Sequence, residues 1–114
     1  MIHKDFKNIE HKLPPASIPF LQDILHYFGK VSLVLAKPRK TKYGDYRVRQ
    51  KSYQISVNNN LNPYKFLITL MHELAHHKSF LQYPNAPAHG KVWKNNFQKL
   101  MLPLFIQTFS LKIS

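Results

Sequence analysis

Apolar positions along this chain recur first at helical spacing, then at strand spacing, then at helical spacing twice more. Phe20, Ile24 and Phe28 stand four apart beside Leu21 and Leu25, between Ser17, able to cap a helix start, and Gly29, able to end one. A helix over that stretch is expected to cover a sheet. Residues 1–13 read as a polar lead, closed by Pro14-Pro15. Val31-Ser32-Leu33-Val34-Leu35 is a β-rich run, after which the chain turns near Gly44 and returns through Tyr46 to Arg49. Tyr53, Ile55 and Val57 alternate with Gln54 and Ser56, the period-two signature of a half-buried strand, which stops at Asn58-Asn59-Asn60.

Asn62-Pro63 reads as an N-cap followed by a first-turn proline, and nothing from Tyr64 to about Lys78 interrupts the helix that follows. A proline-punctuated loop, Tyr83 to Ala88, turns the chain back, and Lys91 to Leu102 forms a second helix with Trp93, Phe97, Leu100 and Met101 on one face. Residues 103–114 are too apolar for a disordered tail and are expected to pack as a C-terminal extension. The pattern predicts an α+β fold: an N-terminal helix, a short, mostly antiparallel sheet of about three strands, a central helix and a second C-terminal helix. With 114 residues, 44% of them apolar and 13% aromatic, the chain can build one modest core, so a single domain over 1–114 is expected.

Composition narrows the setting. The chain has no cysteine, which removes disulfides, thiolate metal sites and cysteine nucleophiles together and suits a reducing compartment. The first residues lack an apolar signal-like core, and no stretch approaches the roughly 18 apolar residues of a membrane span, so a cytoplasmic location without membrane partners is expected.

Chemistry enters with the central helix. At about 100° per residue, Leu67, Leu70, Met71 and Leu74 fall on one side while Ile68, His72 and His76 share the other. A helix this apolar is buried, and a buried imidazole without a partner costs roughly 1–3 kcal/mol. The pentapeptide His72-Glu73-Leu74-Ala75-His76 offers a partner, because two histidines four apart can share one metal ion. Zinc bound by three protein ligands keeps a fourth position for water, and Glu73, a quarter turn from His72, would be that water's general base. No Asp or Glu occurs from Leu74 to Ser114, so a downstream third ligand must be a histidine. His77 points about 100° away from His76 and suits the surface or a supporting role. His89, after the proline loop and before Gly90, is the better ligand. Gly90 would permit close backbone approach there.

The two motifs, His72-Glu73-Leu74-Ala75-His76-His77 and Ala88-His89-Gly90-Lys91-Val92-Trp93-Lys94, resemble the SprT-like family of zinc metallopeptidases, over a span from about Tyr53 to Leu102. The resemblance implies a zincin-like fold, zinc held by His72, His76 and His89, and a catalytic Glu73. Eukaryotic members degrade proteins crosslinked to DNA, so protein substrates associated with DNA are implied as a class. Many members carry a cysteine zinc ribbon after the catalytic domain. This chain has no cysteine, which sets aside ribbon-dependent DNA docking and leaves open whether a longer protein is represented in part. In related zincins an extended substrate pairs along the strand before the active-site helix, a part that Tyr53 to Val57 would play here.

The formal charge of +12, from 17 basic residues against 5 acidic ones, makes polyanions natural partners. Lys37, Arg39, Lys40, Lys42, Arg47, Arg49 and Lys51 are interleaved with Tyr43 and Tyr46 and opposed only by Asp45. They suit phosphates and unpaired bases, or equally a solvated loop and strand face whose lysines discourage aggregation. Two functions therefore stand: a zinc-dependent peptidase acting on proteins, including DNA-associated ones, or a non-catalytic, zinc-stabilised nucleic-acid-binding module. For the peptidase, Tyr43, Tyr46, Tyr53, Tyr64 and Tyr83 are all open as oxyanion donors, and backbone carbonyls are expected to orient the zinc histidines.

Overall fold

The computed structural model describes residues 3–109, with side chains described through residue 106. Helix α3, Pro63–Gln82, starts where the sequence places it, with the Asn62 side chain accepting a 2.9 Å hydrogen bond from the Lys65 amide. Leu67, Leu70, Met71 and Leu74 are each at most 1% exposed, as the periodicity requires. Burying each is worth about 1.5–3 kcal/mol. The helix runs one turn past Lys78 and closes with the Tyr83 amide on the Ser79 carbonyl. Pro84 follows directly, and the residue before a proline avoids helical geometry.

Three strands, β1 (Val31–Ala36), β2 (Gly44–Arg49) and β3 (Ser52–Asn58), form a sheet of order β1-β3-β2. The α+β class holds and the sheet is mixed: β1 runs parallel to β3, while β2 and β3 are an antiparallel hairpin. That hairpin turns through Gln50 and Lys51, both at positive φ (45° and 66°), as the two-residue turns that match strand twist demand. Leu33, Ile55 and Val57 face the core, and the main cover of the sheet is α3 rather than the N-terminal helix.

The order puts β3 in the centre, so Tyr53 to Val57 has both edges paired and cannot receive a substrate strand. On the outer edge of β1, the Leu33 amide donates to the Asp5 carboxylate at 3.0 Å and the His3 ring lies 2.7 Å from the Val31 carbonyl. Both capping residues belong to the segment read as a polar lead. That segment holds a short helix, α1 (Phe6–Ile9), and Phe6, Ile9 and Leu13 are at most 4% exposed in the core. The outer edge of β2 is left unpaired by other strands among the described residues.

Helix α2 (Ile18–Phe28) ends at Gly29, whose φ of 68° suits glycine. Ser17 does not cap it; its hydroxyl donates to the Pro14 carbonyl at 2.7 Å. Phe28 packs on the His77 ring, and Ile24 and Phe28 share a cavity with Lys78 of α3 and Leu100. Helix α4 (Lys91–Phe109) continues through Pro103 instead of stopping at Leu102. The proline denies the Lys99 carbonyl a helical hydrogen bond, yet Leu100 and Leu104, one turn apart, are 9% and 0% exposed and hold the helix against the core. The expected packing of the C-terminal extension is met as far as Leu104; residues 110–114 lie outside the described residues.

Because Phe6 is wholly buried, Phe6→Ala should cost about 3–5 kcal/mol of unfolding free energy in urea titration, against near-neutrality for a polar lead.

Candidate metal centre

His72 and His76 stand one turn apart on the half-buried side of α3, and His89 reaches them from the loop before α4. The His89 Nε2 atom lies 3.0 Å from Nε2 of His76 and 3.0 Å from Nε2 of His72. The ligand atoms of all three lie within 4.8 Å of one another. A tetrahedral ion with metal–nitrogen bonds near 2.05 Å sets its ligands about 3.3 Å apart, close to the two 3.0 Å separations that His89 makes. Three imidazoles meeting at one point cannot satisfy one another, since each neutral ring carries one donor and one acceptor. Burial, then His89, pushes His72 below its ordinary value, and burial, then the two neighbouring rings, pushes His76 down to about 4. The lone pairs a cation needs are therefore free at neutral pH.

His89 is itself in the left-handed backbone region, at φ 60°, which a residue with a Cβ adopts at some cost. Gly90 is not the left-handed residue. It closes a tight turn, its amide on the Pro87 carbonyl at 3.1 Å, where an added Cβ would press on that oxygen, also at 3.1 Å. Trp93, one helical turn after His89, packs on all three rings with centroids 4.7–5.4 Å away and stacks on Phe97. Its indole N–H donates to the His72 carbonyl at 3.3 Å. Packing on Trp93, rather than backbone carbonyls, orients the rings among the described residues.

Glu73 faces β2 and is 6% exposed. Burial, with Asp45 adding, pushes its carboxyl up to about 7 against the pull of Arg39 and Lys42. The strand passes so close that a Cβ on Gly44 would lie 2.7 Å from the Thr69 methyl and 2.9 Å from a Glu73 carboxylate oxygen. Only glycine fits this crossing, a constraint absent from the sequence pattern. A cavity of about 590 Å³ opens beside it, lined by Glu73, His72, Ile68, Tyr43 and Lys65 among others. A smaller one, about 180 Å³, flanks His76 on the side of Tyr46 and Tyr83.

His77 is 1% exposed and supports the centre from behind, not from the surface. Its Nδ1 meets the Tyr46 hydroxyl at 2.5 Å, and the ring packs on Tyr46, Tyr53 and Phe28. Burial lowers it to about 4 and raises the Tyr46 phenol above its ordinary value.

The basic set does not gather on one patch. Arg39 turns inward, donating to Asn58 at 2.8 Å and Ser56 at 3.0 Å. Lys42 and Arg47 share Asp45, at 3.0 and 2.8 Å, which holds that carboxyl below its usual range although burial alone would raise it. Arg47 and Arg49 line a cleft with Ser52 and Gln54 on the outer face of the hairpin. Lys37, Lys40 and Lys51 are exposed, Lys37 beyond the Asn58 end of the sheet and Lys51 in the hairpin turn at the other.

These features define a small α+β protein in which three histidines, two of them on a largely buried helix, are positioned to hold a metal ion. The chain belongs to the SprT-like family, whose sequence profile matches residues 16–110. The general description of that family is of zinc metallopeptidases with a zincin fold. No curated protein and no solved structure matches the chain significantly.

Two outcomes are expected here. Below about pH 6.5 the unfolded chain protonates histidines that His72, His76 and His77 keep neutral in the fold, so it binds more protons and stability falls on acidification towards pH 4. Glu73, protonated in the fold below about 7, opposes this down to its ordinary 4.5, one group against three. Melting of chelator-treated protein should therefore shift downwards from pH 6.5 to 4.5; a flat or rising Tm would contradict the buried neutral rings. Gly44→Ala should cost about 1–3 kcal/mol in chemical unfolding, as overpacking against Thr69 and Glu73 does.

Proposed function

We propose that this protein is a zinc-dependent metallopeptidase in which His72, His76 and His89 hold the ion and Glu73 is the general base. The carrying observation is geometric: three Nε2 atoms meet at one point, and a buried carboxylate adjoins them along a cavity wide enough for a substrate side chain. Three imidazoles with no thiolate suit zinc in a catalytic rather than a structural setting. A structural three-histidine site has no need of the carboxylate.

When bound, zinc supplies Lewis acidity towards water and a peptide carbonyl. Glu73 takes the water's proton and hands it to the leaving amine, and no side-chain hydrogen bond within the described residues competes for its oxygens. Trp93 and the Tyr46–His77 pair keep the ligands and β2 in register with that carboxylate. The free edge of β2 is where an extended peptide pairs by its backbone, in place of the occupied β3, with little dependence on sequence. For the oxyanion, Tyr43 and Tyr83 remain: each lines a cavity beside the centre, whereas Tyr46 and Tyr53 are engaged with His77 and Tyr64 lines neither cavity. DNA-associated proteins are the substrate class favoured by the +12 charge and by the open Arg47 and Arg49 face.

Glu73→Gln should cut proteolysis of casein or histone by roughly 10²–10⁴-fold with zinc content unchanged, and His76→Ala should lose both zinc and cleavage. A glutamine variant as active as the parent would sink the mechanism; bound zinc without cleavage of any protein, with or without single-stranded DNA, would favour the binding-module alternative.

A further inference from the structure

The cavity beside Glu73 carries a charge pattern that the chemistry of hydrolysis does not require. Its walls are apolar, from the Tyr43 ring and Ile68, but two exposed lysines, Lys42 and Lys65, open onto it. Lys42 already has the Asp45 carboxylate at 3.0 Å. Lys65 has no ion pair among the described residues: its Nζ lies 3.9 Å from the centre of the Tyr43 ring, which orders the ammonium without neutralising it. Lys65 is also misplaced by the logic of helices. It stands in the first turn of α3, at the positive end of the helix dipole, where no acidic residue is found and where a cation is disfavoured by about 0.3–1 kcal/mol. Local choices that oppose local stability are expected where a ligand uses them.

We propose that this cavity is a specificity subsite for a peptide side chain ending in an anionic oxygen group, a carboxylate or a phosphomonoester. Lys65 is its recognition residue, and the apolar walls take the methylene stem. The assignment rests on the peptidase reading, because the cavity is continuous with His72 and Glu73 and so faces a residue close to the scissile bond. A volume of about 590 Å³ admits a long side chain, which favours glutamate or a phosphorylated residue over aspartate.

The test measures equilibrium binding, so that it does not depend on turnover. Zinc-loaded Glu73→Gln protein is titrated into fluorescein-labelled peptides of one sequence with Glu, Gln or phosphoserine scanned through it, read by fluorescence anisotropy. At one position the Glu and phosphoserine peptides should bind about fivefold more tightly than the Gln peptide, the worth of a well-placed ion pair at a partly exposed site. Adding Lys65→Gln should erase the ratio and Lys65→Glu should reverse it towards a lysine-bearing peptide. Lys99→Gln, which removes one exposed positive charge from α4, should leave it intact. Equal losses with Lys65→Gln and Lys99→Gln would overturn the subsite in favour of bulk charge. Displacement of the Glu peptide by oligothymidylate only when Lys65 is present would overturn it in favour of a nucleic-acid phosphate. If the binding preference holds but the parent protein cleaves no peptide, the peptidase reading fails while the subsite stands.

Discussion

A helix buried round most of its circumference favours partners for the polar side chains it carries, and α3 carries His72, His76, His77 and Ser79 within about two turns. The neighbouring elements answer this demand in turn. Tyr46 of β2 bonds His77, and Asn96 of α4 donates to the Ser79 hydroxyl at 2.9 Å and to Gln82 at 3.0 Å. His72 and His76 are met by His89, on a loop tight enough to force a left-handed backbone. Docking of α4, placement of β2 and strain at His89 thus share one cause.

Why β2 lies where it does follows from Asn58, at the end of β3 and 1% exposed. Its amide bonds the Tyr43 carbonyl, its side chain donates to the Lys42 carbonyl, and its own side-chain oxygen receives Arg39. One asparagine therefore pins the crossing from β1 past the end of β3 to the far edge of the sheet. That crossing delivers Gly44 onto Glu73 and leaves β2 as the edge strand, with Tyr46 and Val48 lining a cavity beside His76. The opposite edge cannot serve, because His3 and Asp5 already occupy its backbone groups.

Legibility followed the range of the interaction. The buried face of α3, the proline loop and the convergence of His89 were readable because periodicity and donor chemistry are local or few-valued: with no downstream carboxylate, histidine was the only candidate. Strand order was not readable, since nothing in the residues of β1 distinguishes a hairpin partner from a parallel neighbour two strands on. The turn at Gln50-Lys51 lacks the Asn-Gly signal because the strands flanking it impose its twist. Phe6 and Ile9 were hidden by the polar residues between and around them, too few turns to show a period. His77 was left between the surface and a supporting role because the angle from His76 told where it pointed but not that Tyr46 and Tyr53 would be waiting there. Gly44 left no signal, as a close approach is a property of two elements and not of one.

The same crossing links metal binding to the state of the carboxylate. Glu73 is held near neutrality by opposed influences, burial and Asp45 raising it, Arg39 and Lys42 lowering it. Lys42 and Arg47 in turn hold Asp45 ionised, so the raising influence depends on the pairs that β2 and its approach bring together. A dication at the histidines joins the lowering side at short range, where a low-dielectric wall screens it little. Without an ion, the Glu73 carboxyl sits near 7; on the proposed zinc reading, a bound ion would favour its ionised form. The buried carboxylate is thus tolerable in the fold because protonation relieves its burial, and on the proposed reading the same group would serve as the base once a cation held by the histidines favours its ionised form.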